Sequence, residues 1–104
     1  MVYLVKCASY NQGKAYFKIG FTGNLNQRLP SYITHNPTVK VLEIVDTYRK
    51  TKRNLETTLH IELLNNGYNF EINNDIMTEW FEADNNSISL KNFKACKNRK
   101  VITL

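Results

Sequence analysis

Two apolar runs separated by a polar turn make up residues 2–21, which read VYLVKCASYNQGKAYFKIGF. Residues 2–8 and residues 16–21 are rich in aromatic and β-branched side chains, which is typical of strands. Residues 11–14 contain Asn and Gly, which favour a turn. The sequence therefore predicts a β-hairpin, which places Tyr3 and Lys18 on adjacent strands whose cross-strand side chains lie about 5 Å apart.

A helical pattern follows the hairpin. Thr22-Gly23-Asn24 provides a helix start. Leu25, Leu29 and Ile33 then recur at a spacing of four, which is typical of one buried helical face. Pro30 lies inside this pattern, and its ring clashes with the preceding turn while its missing N–H removes a hydrogen bond. We therefore expect a kink or an early end of the helix at the proline.

A third strand and a second helix are predicted next. Residues 39–45 are rich in β-branched side chains and follow a proline, which predicts the strand. The helix is predicted over about residues 51–66, because leucines spaced by four line one face and Gly67 provides a C-terminal stop. These leucines are Leu55, Leu59 and Leu63.

The C-terminal part of the chain is predicted to combine a loop, a short strand and a helix. Residues 65–75 are polar and rich in Asn, which predicts the loop. Residues 78–82 predict a short strand or turn that buries Trp80 or Phe81. A last amphipathic helix is predicted from Ser87, with its apolar side chains facing inward. These side chains are Leu90, Phe93 and Cys96.

These elements predict a single α/β domain of the α+β kind over residues 1–104, a length that suits one compact core. Its core has the order β-β-α-β-α. We expect a small three-stranded, mainly antiparallel sheet flanked by helices, followed by a C-terminal helical extension.

The composition predicts a basic protein that works inside the cell. Lys and Arg number 14 against 9 Asp and Glu, which gives a formal net charge of +5 and favours nucleic acid as a partner. Cys7 and Cys96 lie far apart and form no CxxC pair, which argues against a zinc knuckle or a disulfide framework. No window approaches the roughly 20 apolar residues of a membrane span, and no signal-peptide pattern is visible. We expect a soluble, intracellular protein without a membrane partner.

Short motifs occur in a fixed order along these elements. They are Val2-Tyr3-Leu4-Val5, Phe17-Lys18-Ile19-Gly20-Phe21-Thr22, Arg28 with Tyr32, Glu56 with His60, and Glu79-Trp80-Phe81. As an ordered set they resemble the GIY-YIG nuclease superfamily, in the branch in which KIG, followed by Thr, replaces the YIG motif. The resemblance covers residues 2–81 and leaves 82–104 as an extension. It departs at Met1-Val2-Tyr3, which lacks the Gly of the first triplet, and at Lys18, which replaces the first Tyr of the second.

The resemblance implies an endonuclease that uses Mg²⁺ or Mn²⁺ to hydrolyse phosphodiester bonds in DNA, with RNA left open as a substrate. The site residues that it implies are Tyr3, Lys18, Arg28, Tyr32 and Glu56. Glu56 is the implied metal ligand, and Tyr32 stands where the family has Tyr or His four residues after the Arg. His60 is an accessory candidate that positions Glu56 or contacts phosphate. The abundant Asn residues are typical of an AT-rich genome, such as that of a virus or phage.

The chemistry of these residue types agrees with such roles. Mg²⁺ commonly takes only one or two protein carboxylates beside a phosphate oxygen, so Glu56 alone is enough to hold it. Arg28 offers a planar fork of donors that matches phosphate, although many helices carry an Arg as an ordinary surface cation. Tyr3 has a reference pKa of about 10 and is a poor base by itself. We expect the ammonium of Lys18 to lower that pKa by favouring the phenolate.

Each residue also has a structural interpretation. Tyr3 can be an aromatic packed on a strand, and Lys18 can belong to the solvated side of an edge strand. Glu56 can pair with Lys52 or His60 at helical i, i+4 spacing, which contributes little energy. His60 can be a partly buried structural histidine.

Two other functions remain open beside the nuclease. One is a catalytically inactive nucleic-acid-binding or protein adaptor module on the same fold, and the other is a structural protein whose charge is incidental. The presence of both Arg28 and Glu56 favours the nuclease, because an inactive copy could lose those groups. The sequence leaves the cleavage specificity and the oligomeric state open.

Overall fold

The structure, a computed structural model, describes residues 1–46 and 52–104. Within these residues the strands form one antiparallel sheet with a helix on each face. The strands are β1 (Val2–Ala8), β2 (Lys14–Phe21), β3 (Lys40–Val45), β4 (Phe70–Asn73), β5 (Ile76–Asp84) and β6 (Val101–Thr103), in the spatial order β4-β5-β2-β1-β3-β6. The helices are α1 (Leu25–His35) and α2 (Lys52–Asn65).

The prediction of a small three-stranded sheet is wrong, because the described residues form a six-stranded sheet. The α+β class and the hairpin of β1 and β2 hold, and these two strands pair over their full length. The largest error in this part of the chain lies in residues 70–75, where β4 and a tight turn replace the predicted loop, whereas residues 66–69 form a turn and irregular chain as predicted. The turn is left-handed at Asn74 and Asp75, with φ values of 51° and 63°. Asn and Asp tolerate this backbone, so the polar run encodes a hairpin turn between β4 and β5.

Helix α1 continues through the proline that was expected to kink or end it. Asn24 caps the helix by accepting a hydrogen bond from the Gln27 N–H at 3.3 Å. The helix then runs past Pro30 to His35. Pro30 is exposed, as is Asn26, whose carbonyl would otherwise accept a hydrogen bond from residue 30. Water can therefore take the place of the hydrogen bond that the proline removes.

The buried face of α1 differs from the predicted one at its C-terminal end. Leu25, Leu29 and Tyr32 pack against the sheet, whereas Ile33 is 42% exposed. The reason is helical geometry: at 3.6 residues per turn, residue 33 is rotated by about 80° from residue 25, and residue 32 by only about 20°. Residues spaced by four therefore turn progressively away from the sheet along the helix. Tyr32, and not the predicted Ile33, packs on the sheet in the last turns.

The α2 prediction is confirmed over the described residues, while its predicted first residue, Thr51, lies outside them. The predicted leucines Leu55, Leu59 and Leu63 are all buried. The helix ends at Asn65, and the predicted stop residue Gly67 follows it with a φ of +88°. The N–H groups of Gly67 and Tyr68 donate to the carbonyls of Leu64 and Leu63, which is a Schellman ending. Neither described helix is long and apolar enough to span a bilayer.

The predicted C-terminal helix is wrong, because two short 3₁₀ turns occupy its place, at Leu90–Asn92 and Lys94–Cys96. The three side chains predicted to face inward are nevertheless buried, since a spacing of three also suits a 3₁₀ turn. Two carboxylates hold these turns. Glu43, itself buried, accepts from the Leu90 N–H at 2.6 Å, and Glu62 accepts from the Lys94 N–H at 2.9 Å.

The sheet carries a separate apolar cluster on each face, because side chains alternate along its strands. On the α2 face, Leu4, Phe17 and Phe81 belong to the larger cluster, which also packs against the C-terminal turns. On the α1 face, a smaller cluster is built around Tyr3 and Val5. Of the two candidates for burial on β5, Phe81 enters the larger cluster, and Trp80 packs partly buried on the α1 face.

Candidate functional site

Four side chains meet on the α1 face of the sheet, and we call them the tyrosine cluster. They are Tyr3 of β1, Lys18 of β2, and Arg28 and Tyr32 of α1. The hydroxyls of Tyr3 and Tyr32 are hydrogen-bonded at 2.6 Å, and the Arg28 Nε donates to the Tyr32 hydroxyl at 3.4 Å. The Lys18 Nζ lies 5.3 Å from the centre of the Tyr32 ring. Tyr32 is therefore the residue that contacts all the others.

Gly20 makes room for the ring of Tyr3. The two residues are directly opposite each other in the pair of β1 and β2, and Tyr3 is only 1% exposed. A Cβ atom at position 20 would lie 2.9 Å from Cε2 of Tyr3 and closer still to its Cζ and Oη atoms. A methyl group cannot enter this space unless the Tyr3 ring or the strand moves, so Gly20 is what places the Tyr3 hydroxyl beside Tyr32.

Gly20→Ala is expected to destabilise the fold by about 1–3 kcal/mol, the usual cost of forcing extra volume into a packed core. The free energy of unfolding, measured by urea denaturation, tests this. Gly23→Ala is the matched control, because no heavy atom lies within 4 Å of a Cβ at that position; its effect should stay within about 0.5 kcal/mol. Equal stabilities of the two variants would show that Tyr3 does not occupy the space above Gly20.

The environment of the tyrosine cluster shifts the pKa values of Tyr3 and Tyr32 in opposite directions. Burial, together with the hydrogen bond to Tyr32, raises the pKa of Tyr3 well above its ordinary value. Burial also acts to raise the pKa of Tyr32, but the hydrogen bonds from Tyr3 and Arg28 and the charge of Lys18 outweigh it, so that pKa is lowered. The expectation that Lys18 would lower the pKa of Tyr3 is therefore wrong. Lys18 acts on Tyr32, because its ammonium lies over that ring.

A second group of side chains, which we call the carboxylate–histidine group, consists of Glu56 and His60 of α2 and Glu79 of β5. Each is half-buried, and one ligand atom from each lies within 4.8 Å of the others. His60 Nε2 donates to the Ile19 carbonyl at 2.7 Å. When the ring is neutral, this bond leaves the lone pair on Nδ1. A carbonyl that orients a histidine in this way is a common support for metal-binding histidines.

Glu79 is part of the motif Glu79-Trp80-Phe81, but the sequence gave no reason to assign it a functional role. Its φ of 64° lies in the left-handed region, which costs a residue with a side chain about 1–2 kcal/mol. Glu79 stands where β5 leaves β2, since pairing between those strands ends at Lys18 and Trp80. The Trp80 N–H donates instead to the Thr78 hydroxyl at 3.2 Å. The residue type of Glu79 did not predict its left-handed backbone, because that conformation occurs where two strands distant in sequence stop pairing.

The two groups lie on opposite faces of the sheet, the tyrosine cluster on the α1 face and the carboxylate–histidine group with α2, and both border the point where β2 and β5 separate. On β2, Lys18 belongs to the tyrosine cluster, and the carbonyl of the next residue, Ile19, accepts the hydrogen bond from His60. On β5, Trp80 packs edge-on against Tyr32, with ring centres 6.0 Å apart, and the preceding residue is Glu79. Consecutive residues of each strand therefore contact different groups, and because side chains alternate along a strand, the two groups are approached from opposite faces.

We compared the sequence with models of known protein families. The model of the T5orf172 domain matches residues 1–100. The chain belongs to the T5orf172 domain family. This domain has a GIY-YIG-like, nuclease-associated fold. No curated protein and no solved structure matches the chain. The family match runs beyond residue 81, where the motif resemblance ended.

In this T5orf172 domain the sequence-predicted site residues fall into the two groups. The tyrosine cluster brings together Tyr3, Lys18, Arg28 and Tyr32. Glu56 and His60 form the other group with Glu79, and the contacts found for the described residues link the groups only through β2 and β5. His60 also has a structural role, since its ring packs on Phe70 at 5.3 Å. The side chain of Lys52, the alternative partner of Glu56, lies outside the described part of the chain.

Proposed function

We propose that this T5orf172 domain is a metal-dependent endonuclease that hydrolyses phosphodiester bonds in DNA. The observation that carries the proposal is the tyrosine cluster, in which the two cations Lys18 and Arg28 lie beside the phenol of Tyr32 on one face of the sheet. Phosphodiester hydrolysis needs a group that accepts a proton from water, cations that hold the phosphate, and neutralisation of the charge that develops on it. The tyrosine cluster and the carboxylate–histidine group contain side chains suited to each of these tasks, and the nuclease-associated fold supports the same assignment.

Arg28 and Lys18 are the residues that would hold the scissile phosphate. Arg28 is exposed and lies beside Tyr32. Its guanidinium carries five N–H donors in a plane, of which the contact with Tyr32 uses one, so the others are suited to a phosphate group. Lys18 adds a second positive charge near the Tyr32 ring, with its Nζ 5.3 Å from the ring centre. These cations would bind the substrate and stabilise the more highly charged transition state.

Tyr32 is the better candidate for the base than Tyr3. Its pKa is lowered, and it is half-buried, whereas Tyr3 is almost fully buried and has a raised pKa. In the step that we propose, the oxygen of a water molecule bonds to phosphorus and the Tyr32 oxygen takes its proton. The bond from phosphorus to the leaving oxygen breaks, and that oxygen is protonated from solvent. Tyr3 serves as a positioning residue that donates a hydrogen bond to the Tyr32 oxygen.

The carboxylate–histidine group fits a divalent cation. Ligand atoms on opposite sides of Mg²⁺ lie about 4 Å apart, and the atoms of Glu56, His60 and Glu79 lie within 4.8 Å of one another. Two carboxylates suit Mg²⁺ or Mn²⁺, and an imidazole ligand favours the transition metal over Mg²⁺. The bound cation would neutralise negative charge on the phosphate.

The proposal is tested by incubating the purified protein with supercoiled plasmid in the presence of Mg²⁺, Mn²⁺ or a chelator. We expect nicked and linear plasmid with either cation and none with the chelator. Arg28→Ala should slow cleavage by about 10²–10³-fold, because it removes donors to the transition state. Lys97→Ala is the matched control, since it removes one exposed positive charge outside the site and should leave the rate nearly unchanged.

The adaptor hypothesis predicts a different result. If the protein binds DNA tightly but cleaves no plasmid with either cation, the domain is a binding module and the endonuclease proposal fails. If cleavage occurs and Arg28→Ala cleaves as fast as Lys97→Ala, the phosphate contact has been assigned to the wrong residue.

A further inference from the structure

An open groove lies beside the tyrosine cluster, between α1, β2 and the hairpin of β4 and β5. Its volume is about 440 Å³, within the range of small-molecule sites. Three aromatic side chains line it, from Tyr16, Tyr32 and Trp80, and polar groups come from Asn36, Glu71 and Thr78. The groove therefore combines flat apolar surfaces with a few hydrogen-bonding groups.

The groove is continuous with the proposed catalytic site. Tyr32 belongs to both, since its hydroxyl contacts Tyr3 and Arg28 and the residue also lines the groove. Trp80 meets the Tyr32 ring edge-on, at an angle of 86° between the ring planes. A ligand that occupies the groove would therefore lie next to a phosphate held by Arg28 and Lys18.

The charges of the two regions differ in sign. The tyrosine cluster contains two cations, whereas the charged side chain among the described residues that line the groove is the exposed carboxylate of Glu71. A phosphate would be attracted to the cluster and repelled from the groove. The groove suits an uncharged, flat group that has N–H donors, and a nucleobase has these properties, because its face stacks on aromatic rings and its exocyclic amine donates to a carboxylate.

We propose that the groove holds an unpaired base of a DNA strand whose adjacent phosphate lies on Arg28 and Lys18. This inference rests on the proposed function and extends it to a substrate class. A base stacked and paired inside a duplex cannot enter the groove, so the preferred substrate is single-stranded DNA or a duplex with an unpaired nucleotide. Glu71 makes cytosine, adenine or guanine, which carry exocyclic amines, better occupants than thymine.

Trp80 provides the test, because it is the single tryptophan of the chain and lines the groove. With chelator present to prevent cleavage, Trp80 fluorescence is followed during titration with oligo-dC, with an abasic strand of equal length, and with a fully paired duplex. We expect oligo-dC to quench the fluorescence and to bind about tenfold more tightly than the abasic strand. Equal quenching by the abasic strand would overturn the proposal.

Two variants identify the groove as the place of binding. Tyr16→Ala should weaken oligo-dC binding about tenfold without changing binding of the abasic strand. Its control is Tyr10→Ala, which removes a fully exposed tyrosine outside the groove. Glu71→Ala alters an exposed side chain of the groove, and it should abolish a preference for oligo-dC over oligo-dT of about fivefold in the wild type. A wild type that binds oligo-dC and oligo-dT equally would refute the role of Glu71.

Failure of this inference is distinguishable from failure of the proposed function, because the titration involves neither metal nor turnover. A protein that cleaves plasmid but gives the same Trp80 signal with all three ligands is a nuclease without a base-binding groove. A protein whose Trp80 responds selectively to oligo-dC, but that cleaves nothing, uses the groove for binding alone.

Discussion

Glu56→Gln is expected to reduce DNA cleavage by about 100-fold or more while DNA affinity, measured in chelator, stays the same or rises. Gln is nearly isosteric with Glu and is a good helix former, so α2 should keep its buried leucine face. The substitution removes an anionic ligand from the carboxylate–histidine group, which weakens cation binding and leaves the phosphate charge less neutralised. It also removes a negative charge near the DNA, which accounts for the unchanged or higher affinity.

Plasmid cleavage and calorimetric titration with Mn²⁺ measure the two effects separately. Glu79→Gln should resemble Glu56→Gln in both assays, because the two carboxylates belong to one group. Asp46→Asn, which removes an exposed acidic group outside the site, is the control for charge alone. Full-rate cleavage by Glu56→Gln would show that the metal ligand is wrongly assigned. An unchanged Mn²⁺ affinity in both variants would exclude the whole group as the metal site.

Tyr32→Phe should lower the cleavage rate by about 10²–10⁴-fold, the usual contribution of a general base. The rate of the wild type should rise with pH up to the pKa of Tyr32 and then level, because the phenolate is the active form. Since that pKa is lowered, the plateau should begin below the pH at which an ordinary tyrosine ionises. Tyr32→Phe should lose this dependence on pH, and pH–rate profiles of single-turnover cleavage measure it.

Tyr3→Phe is the matched variant on the other side of the 2.6 Å hydrogen bond. It fills the same space above Gly20 but no longer donates to Tyr32. Because that hydrogen bond lowers the pKa of Tyr32, its loss should raise the pKa and move the rising part of the profile to higher pH. The rate near neutral pH should fall about fivefold, as for a hydrogen bond of about 1 kcal/mol. A larger loss in Tyr3→Phe than in Tyr32→Phe would return the role of base to Tyr3.

The sequence predicted well those features that depend on neighbours along the chain. The hairpin of β1 and β2 follows from two strand-like runs and a Gly-containing turn, and it is present as predicted. The buried face of α2 and its end just before Gly67 follow from leucine spacing and from a residue that tolerates positive φ. Each pattern reflects the period of a single element, so a local stretch of sequence contains all the information that is needed.

Elements that are stabilised by distant partners could not be predicted in the same way. Strand β4 is short and mostly exposed, and it is a strand because it pairs with β5. The C-terminal segment forms 3₁₀ turns where two carboxylates from elsewhere in the chain, Glu43 and Glu62, accept its N–H groups. The apolar spacing of three identified the buried side chains there but did not distinguish a helix from two short turns.

The candidate site shows the same division. The ordered motifs of the sequence by themselves selected Tyr3, Lys18, Arg28 and Tyr32, and the structure brings these residues together. Only the tertiary structure decided which tyrosine has the lowered pKa, because acidity depends on burial and on the distance to the cations. The tertiary structure also added Glu79 to Glu56 and His60, since that carboxylate reaches α2 only where β5 bends away from β2. The sequence determines which side chains are present. The pKa of each tyrosine and the distances between the site residues depend on burial and on the packing of elements that are distant in sequence.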